Sequence, residues 1–380
     1  MLRPIPERAP IAAAAAPKID SDPMKNITRL ALGALAASSL LAFTLPDDAL
    51  TFGPDQGSSL TKTFTSEMTF SLDDMNMTIN GEAPPMMPEM DMEMTKEDTI
   101  VITDEYASLK DGTVTKLKRT FETIGQEISV ESSMEMMGET QETNPTGSGS
   151  SALEGTTVSF TWNDDDEEYE RAFEGDGDDE DLLENLIADM DLRALLPDGE
   201  VSEGDEWDVD LITLVDILAP GGDLAIEVEM EGSDEMMGGP DPEMMTNLRE
   251  LLGDLLEGEF TATYQGKRKA DGLTMGVIAV SIDVESARDM SELMAESMDE
   301  ADSPVPMELE RADVEFSIVA EGELLWNMAA GEIHAFDVSG DASVAMDMAM
   351  SLDVGEPMEM EMSMEMSGTI SQSVRVTSLD

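Results

Sequence analysis

Two residue types could carry chemistry in this chain: methionine and the carboxylates. It holds 33 Met and 85 Asp or Glu, with a single His and no Cys. The methionines recur at every second position. Met358, Met360, Met362, Met364 and Met366 form one such run, Met346, Met348 and Met350 a second, and Met90, Met92 and Met94 a third. Alternate residues share one face of a β-strand, where same-face neighbours sit ~7 Å apart. Thioethers are soft ligands that suit monovalent copper, which makes Met358, Met360 and Met362 candidate metal ligands. The same spacing also describes a half-buried strand with Met in the place of Val or Ile as core filler. A third reading is a flexible apolar wall that accepts greasy ligands or partners.

The carboxylates concentrate between Asp164 and Asp181, a run that reads as a solvated loop. Asp176, Asp178 and Glu180 are its candidate calcium ligands. An EF-hand register fails there, because glycine is needed at the sixth position. Counting from Asp176 that position is Asp181, and counting from Asn163 it is Glu168.

The lone histidine, His334, falls in an expected strand, and no Gly-x-Ser-x-Gly turn supplies a nucleophile for it. Zinc sites need more Cys or His than the chain owns. Gly266-Lys267 lacks the upstream glycine of a phosphate loop, and no dinucleotide fingerprint occurs. These absences point to a non-enzymatic protein with no catalytic residue and no cofactor.

The elements that must position these residues follow from composition and pattern. Hydrophobic residues make up 41% of 380, enough for a real core, but aromatics are only 4%. The formal charge of -65 repels phosphate backbones, so nucleic acid is not an expected partner. Residues 24–45 read as a signal peptide, with Met24, Lys25 and Arg29 ahead of an apolar stretch from Leu30 to Leu45. Residues 1–23 then read as an upstream extension mis-assigned ahead of the true start, with cleavage expected between Ser39 and Ala49. Without cysteine there is neither a disulfide nor a lipoprotein acylation site, and no transmembrane anchor is expected after cleavage. The expected location is the periplasm or the cell exterior.

Residues 46–380 read as a single β-rich domain. Strands are expected at 59–72, 99–103, 113–121, 124–130, 156–162, 260–270 and 273–284. More follow at 314–320, 323–328, 333–338, 344–352, 358–366 and 370–376. Asp271-Gly272 is a strong hairpin signal, Asn80-Gly81 marks a turn, and 144–155 reads as a loop or linker. Helices are expected between about 180 and 300. Leu182, Leu183, Leu186, Ile187, Met190 and Leu192 recur at helical spacing, and a second apolar segment spans Val209–Ala219. A third helix is expected from Asp241 to Gly258, with Met244, Met245, Leu248, Leu251, Leu252 and Leu255 on one side, and a fourth over Ser286–Asp299. The fold class is α+β, mainly β: a large curved antiparallel sheet or partly open barrel with inserted helices.

Two segments carry a resemblance. Leu196-Pro197, Val201, Gly204 and Trp207 match an element of uncharacterised exported bacterial β-rich proteins, and Glu321–Ile333, around Trp326 and Gly331, is similar to a hairpin that follows in them. The layout also resembles the LolA-like envelope proteins, whose open barrel and covering helices carry lipid. That likeness implies a lipid or another envelope protein as partner. On physical grounds Gly204 permits a tight bend before a strand opened by Trp207, and Trp326 sits beside the Gly331 turn. Both rings are expected to plug an end of the sheet, with Trp207→Ala costing ~3 kcal/mol or more.

Overall fold

The structure is a computed structural model. It describes residues 48–379 apart from 85–88, 111, 137–138, 176–178, 232–255, 292–294, 296–306 and 354–356. The chain divides into two units, Met1–Thr44 and Leu45–Asp380, and all that follows belongs to the second.

Alternation of β-branched and polar residues produces very long strands. The central ones are β2 (Ser59–Ile79), β3 (Glu89–Lys110), β4 (Thr113–Met136), β14 (Met307–Asn327), β15 (Glu332–Asp353) and β16 (Pro357–Leu379). At 21 to 24 residues, each runs ~70 Å. They pair antiparallel with β12 (Glu257–Ala270) and β13 (Leu273–Asp289) in the order β12-β13-β14-β15-β16-β2-β3-β4. The pairing of β16 with β2 joins the two ends of the sequence. Beyond β4 lie β6 (Thr146–Ser151) and β11 (Ile226–Glu231), and β10 (Glu206–Asp208) edges β12. Along its outer side β4 also receives β5 (Glu139–Thr143) and β7 (Thr157–Asn163), and β7 pairs with β8 (Glu168–Phe173). Among the described residues this sheet has fourteen strands and does not close into a barrel.

Asp271-Gly272 is the two-residue β12–β13 turn, with φ of 52° and 80°. Both values lie in the left-handed region that a type I′ hairpin requires. Asn80-Gly81 adopts the same pair of angles, 53° and 76°. Other glycines behave differently. Gly322, Gly340 and Gly368 sit inside β14, β15 and β16, joining segments that read as separate strands into single ones. A Cβ on Gly322 would lie 2.6 Å from the Asp337 carbonyl oxygen, and one on Gly340 or Gly368 would overlap the neighbouring strand's backbone. Glycine here lets the neighbouring backbone come close without ending the strand.

The core covers one half of one sheet face. Leu60, Phe64, Ile100, Ile102, Phe121, Ile278, Leu324, Phe336, Ile370 and Val374 are buried on it. A cover packs over them, built from β1 (Asp48–Ala49) paired with β9 (Glu200–Val201), two 3₁₀ turns (Glu180–Leu183 and Arg193–Leu195), and the helix α1 (Ile212–Leu218). Leu183, Leu186, Met190, Leu195, Leu214, Ile217 and Leu224 insert from the cover.

Several elements differ from their sequence pattern. The apolar spacing from Leu182 to Leu192 does not form a helix. Its carbonyls are captured by side chains from the sheet: Arg171 Nε donates to Leu186 O (2.8 Å), and Arg119 donates to Ile187 O (2.8 Å) and Ala188 O (3.0 Å). Oxygens bonded this way leave no helical ladder to build. Ser286–Asp289 continues β13 rather than opening a helix, because it pairs in register with Asp313–Phe316. The expected linker at 144–155 contains β6, held between β4 and β11. The acidic run beginning at Asp164 is largely the β7–β8 hairpin. The helix expected at 241–258 falls almost wholly outside the described residues, as does most of 290–299. Among the described residues no helix is long and apolar enough to cross a membrane, which says nothing of crossing by strands.

Candidate binding face and buried charge cluster

Beyond Met68, Phe70 and Phe316 the continuous core stops, but the strands run on. The face that is core in one half becomes methionine in the other. Register pairs Met364 with Met346 on one side and Met75 on the other, Met362 with Met348 and Met77, and Met360 with Met350 and Ile79. Directly opposed residues of an antiparallel pair have Cβ atoms ~5 Å apart, so β2, β16 and β15 form three side-by-side rows. The next strand continues them with Val314, Ala312 and Leu309. Met348, with methionine on one side and alanine on the other, is 8% exposed. Met75, Met77, Met346, Met350, Met360, Met362 and Met364 are half-buried, and none belongs to the main core. The reverse face of the same strands is acidic, with Glu359, Glu361, Glu365 and Asp347 exposed.

Where the cover meets the sheet lies a cluster that no sequence motif announced. Lys62, Asp104 and Arg119 are fully buried, and Asp191 is 2% exposed. Lys62 Nζ lies 2.8 Å from Asp104 Oδ2 and 2.6 Å from Asp191 Oδ1. Arg119 grips both oxygens of Asp104 at 2.8 and 2.9 Å, and Tyr106 Oη donates to Asp191 Oδ1 at 2.6 Å. Two cations meet two carboxylates, so the buried group is neutral overall. Burial opposes the charge on Lys62, but Asp104 and Asp191 outweigh it and hold the ammonium above its ordinary value. Burial likewise opposes the charge of Asp104, and Arg119 and Lys62 reverse that, holding the carboxyl below the usual range. Tyr106 is pushed well up by burial and by Asp191.

Arg119 also bonds the 187–188 backbone, so the cluster fastens the cover to the sheet. Leu192, between Asp191 and Arg193, is held at φ 53°, a left-handed strain for a bulky residue that flanking ion pairs and burial can sustain. Arg193 reaches Asp189 Oδ1 at 3.0 Å, off the hydrogen-bond line, and stacks 4.9 Å over the Phe52 ring. The cavity beside the cluster, lined in part by Phe64, Met190 and Leu192, measures about 20 Å³. That is room for one water. The cluster's bonds run from the sheet to the cover, which makes the arrangement a fastening.

No family model matches this chain, and no curated protein does. Among solved structures it is similar to the outer membrane protease OmpT from Escherichia coli at 7% identity and a TM-score of 0.16, over 85% of this chain and 98% of that one. It is also similar to Pseudomonas putida OprB at 8% identity and a TM-score of 0.19, over 87% of this chain and 100% of that one. Likenesses at such scores carry no argument about this fold or its function.

The remaining sequence candidates fall as follows. Met358, Met360 and Met362 share the methionine face, joined there by Met75 and Met77 of β2, whose spacing alone did not single them out. Asp176 and Asp178 lie outside the described residues, and Glu180 is exposed in the first turn of a 3₁₀ segment. Among the described residues no group of three or more His, Asp or Glu is placed to hold a metal ion. Gly204 takes φ 94° and its N–H reaches Tyr264 O at 2.8 Å, but Trp207 is half-buried on the edge strand β10, its indole N–H without a partner among the described residues. The large buried ring is Trp326, fully enclosed, donating to Thr51 O at 3.3 Å. Gly331 is required beside it, because a Cβ there would lie 2.8 Å from Gly53 N. Among the described residues His334 pairs with Asp271 of the hairpin turn, at 3.2 Å.

Proposed function

We propose that the protein is a non-enzymatic binding protein of the cell envelope, and that its methionine face takes up a neutral apolar molecule. The observation that carries this is the face itself. An apolar surface leaves the core and continues, half-buried, across β15, β16 and β2. The row from Met358 to Met366 alone extends ~26 Å, a length that suits a flexible chain lying along the strands. Methionine adapts its shape to such ligands. Charge narrows the class: a net -65 and an acidic reverse face disfavour anionic headgroups. The envelope location is supported by the signal-like residues 24–45. The enclosed lipid pocket that the LolA-like resemblance implies has no support beneath the cover, where 20 Å³ is too little for an acyl chain.

Titration of the full chain with the neutral probe N-phenyl-1-naphthylamine tests this. Fluorescence enhancement is expected, with at least about a tenfold loss of affinity in Met362→Asp, which places a charge at the centre of the face. Equal enhancement in both proteins, or none in either, would remove the reading.

A further inference from the structure

The three rows are more than an apolar surface. We propose that the central row, Met77, Met362 and Met348, is a binding site for a soft monovalent cation, copper(I) or silver(I), independent of the apolar-ligand reading. The argument begins with register. Along one strand, thioethers two residues apart start ~7 Å from each other. Across strands Met362 is the direct partner of both Met77 and Met348, so its side chain starts ~5 Å from each. Met77 and Met348 start ~10 Å apart across it, and their long flexible side chains lean toward Met362 to share one ion. Their neighbours, Met75–Met364–Met346 and Met360–Met350, repeat the arrangement above and below. Eight sulfurs therefore stand on three adjacent strands.

Ligand type then selects the metal. Thioether sulfur is uncharged and soft. It binds hard divalent ions poorly and monovalent copper well. The same patch contains no Asp, Glu or His in its nine register positions, so nothing there competes for calcium or magnesium. The carboxylates on the reverse face add a long-range attraction for cations without entering the coordination shell. A leucine or valine face would have served equally as core, and only sulfur adds this chemistry.

The test uses the full chain, silver(I) as a redox-inert probe, and the triple variant Met77→Leu/Met348→Leu/Met362→Leu, which keeps the apolar face. Wild type is expected to retain silver through desalting, with at least a tenfold loss of affinity in the variant. Sulfur-only coordination by X-ray absorption of the silver-loaded wild type is expected as well, and that result does not depend on the variant folding. Retention by neither protein, equal retention by both, or an oxygen-dominated shell would overturn the proposal. Binding of the neutral fluorescent probe should survive the leucine substitutions, so failure of the metal site and failure of the apolar face give different results.

Discussion

At the scale of the residue, the decisive group is Lys62. It reads in the sequence as one more strand lysine between Thr61 and Thr63. In the fold it is fully buried between Asp104 and Asp191. Removing one partner from a buried pair leaves an uncompensated charge and costs about 3–5 kcal/mol. Lys62→Met is therefore expected to lower unfolding free energy by that amount in urea, and a change under about 1 kcal/mol would contradict the role given to the cluster. Strand alternation places Lys62 on the core side with Leu60 and Phe64, the one sign in the sequence of its burial. Asp191 was not legible, because Lys62 lies over a hundred residues away and the helical spacing of the segment around it points to a helix that does not form. The methionine face was half legible: spacing exposed Met358, Met360 and Met362, but only pairing brings Met75 and Met77 beside them.

At the scale of the element, the turns were readable and the strand lengths were not. Asp271-Gly272 has two residues whose types match the φ values a tight hairpin demands. Gly322, Gly340 and Gly368 looked like breaks because glycine usually weakens a strand. Pairing on both sides carries each strand through them, and the missing Cβ makes room for the neighbouring backbone. Gly340→Ala is accordingly expected to cost about 1–3 kcal/mol through overpacking, measured by thermal or urea unfolding. Ser339→Ala, exposed on the other face, should stay within about 0.5 kcal/mol. Equal midpoints for the two variants would show that the close approach of the neighbouring strand does not depend on glycine. The failed helix at 182–192 has the opposite cause. Its pattern is helical, but Arg119 and Arg171 claim its carbonyls, and such distant partners leave no local trace.

At the scale of the whole molecule, one sheet performs two tasks. One half is buried under its cover, fastened by a neutral four-charge cluster and capped by Trp326 against Thr51. The other half carries the same apolar face outward, in methionine. Composition announced a β-rich, cysteine-free chain, and the alternating strands announced one large antiparallel sheet. Which half of that sheet would be covered was not readable, since the cover is held by long-range contacts. A binding role requires the methionine face to be accessible in the intact protein. Oxidation of the full chain by dilute peroxide, followed by peptide mass mapping, tests it most directly. Met360, Met362 and Met364 are expected to oxidise at least about tenfold faster than the buried Met190 and Met275. Equal protection of all five would mean that the face is covered in solution and is not a binding surface.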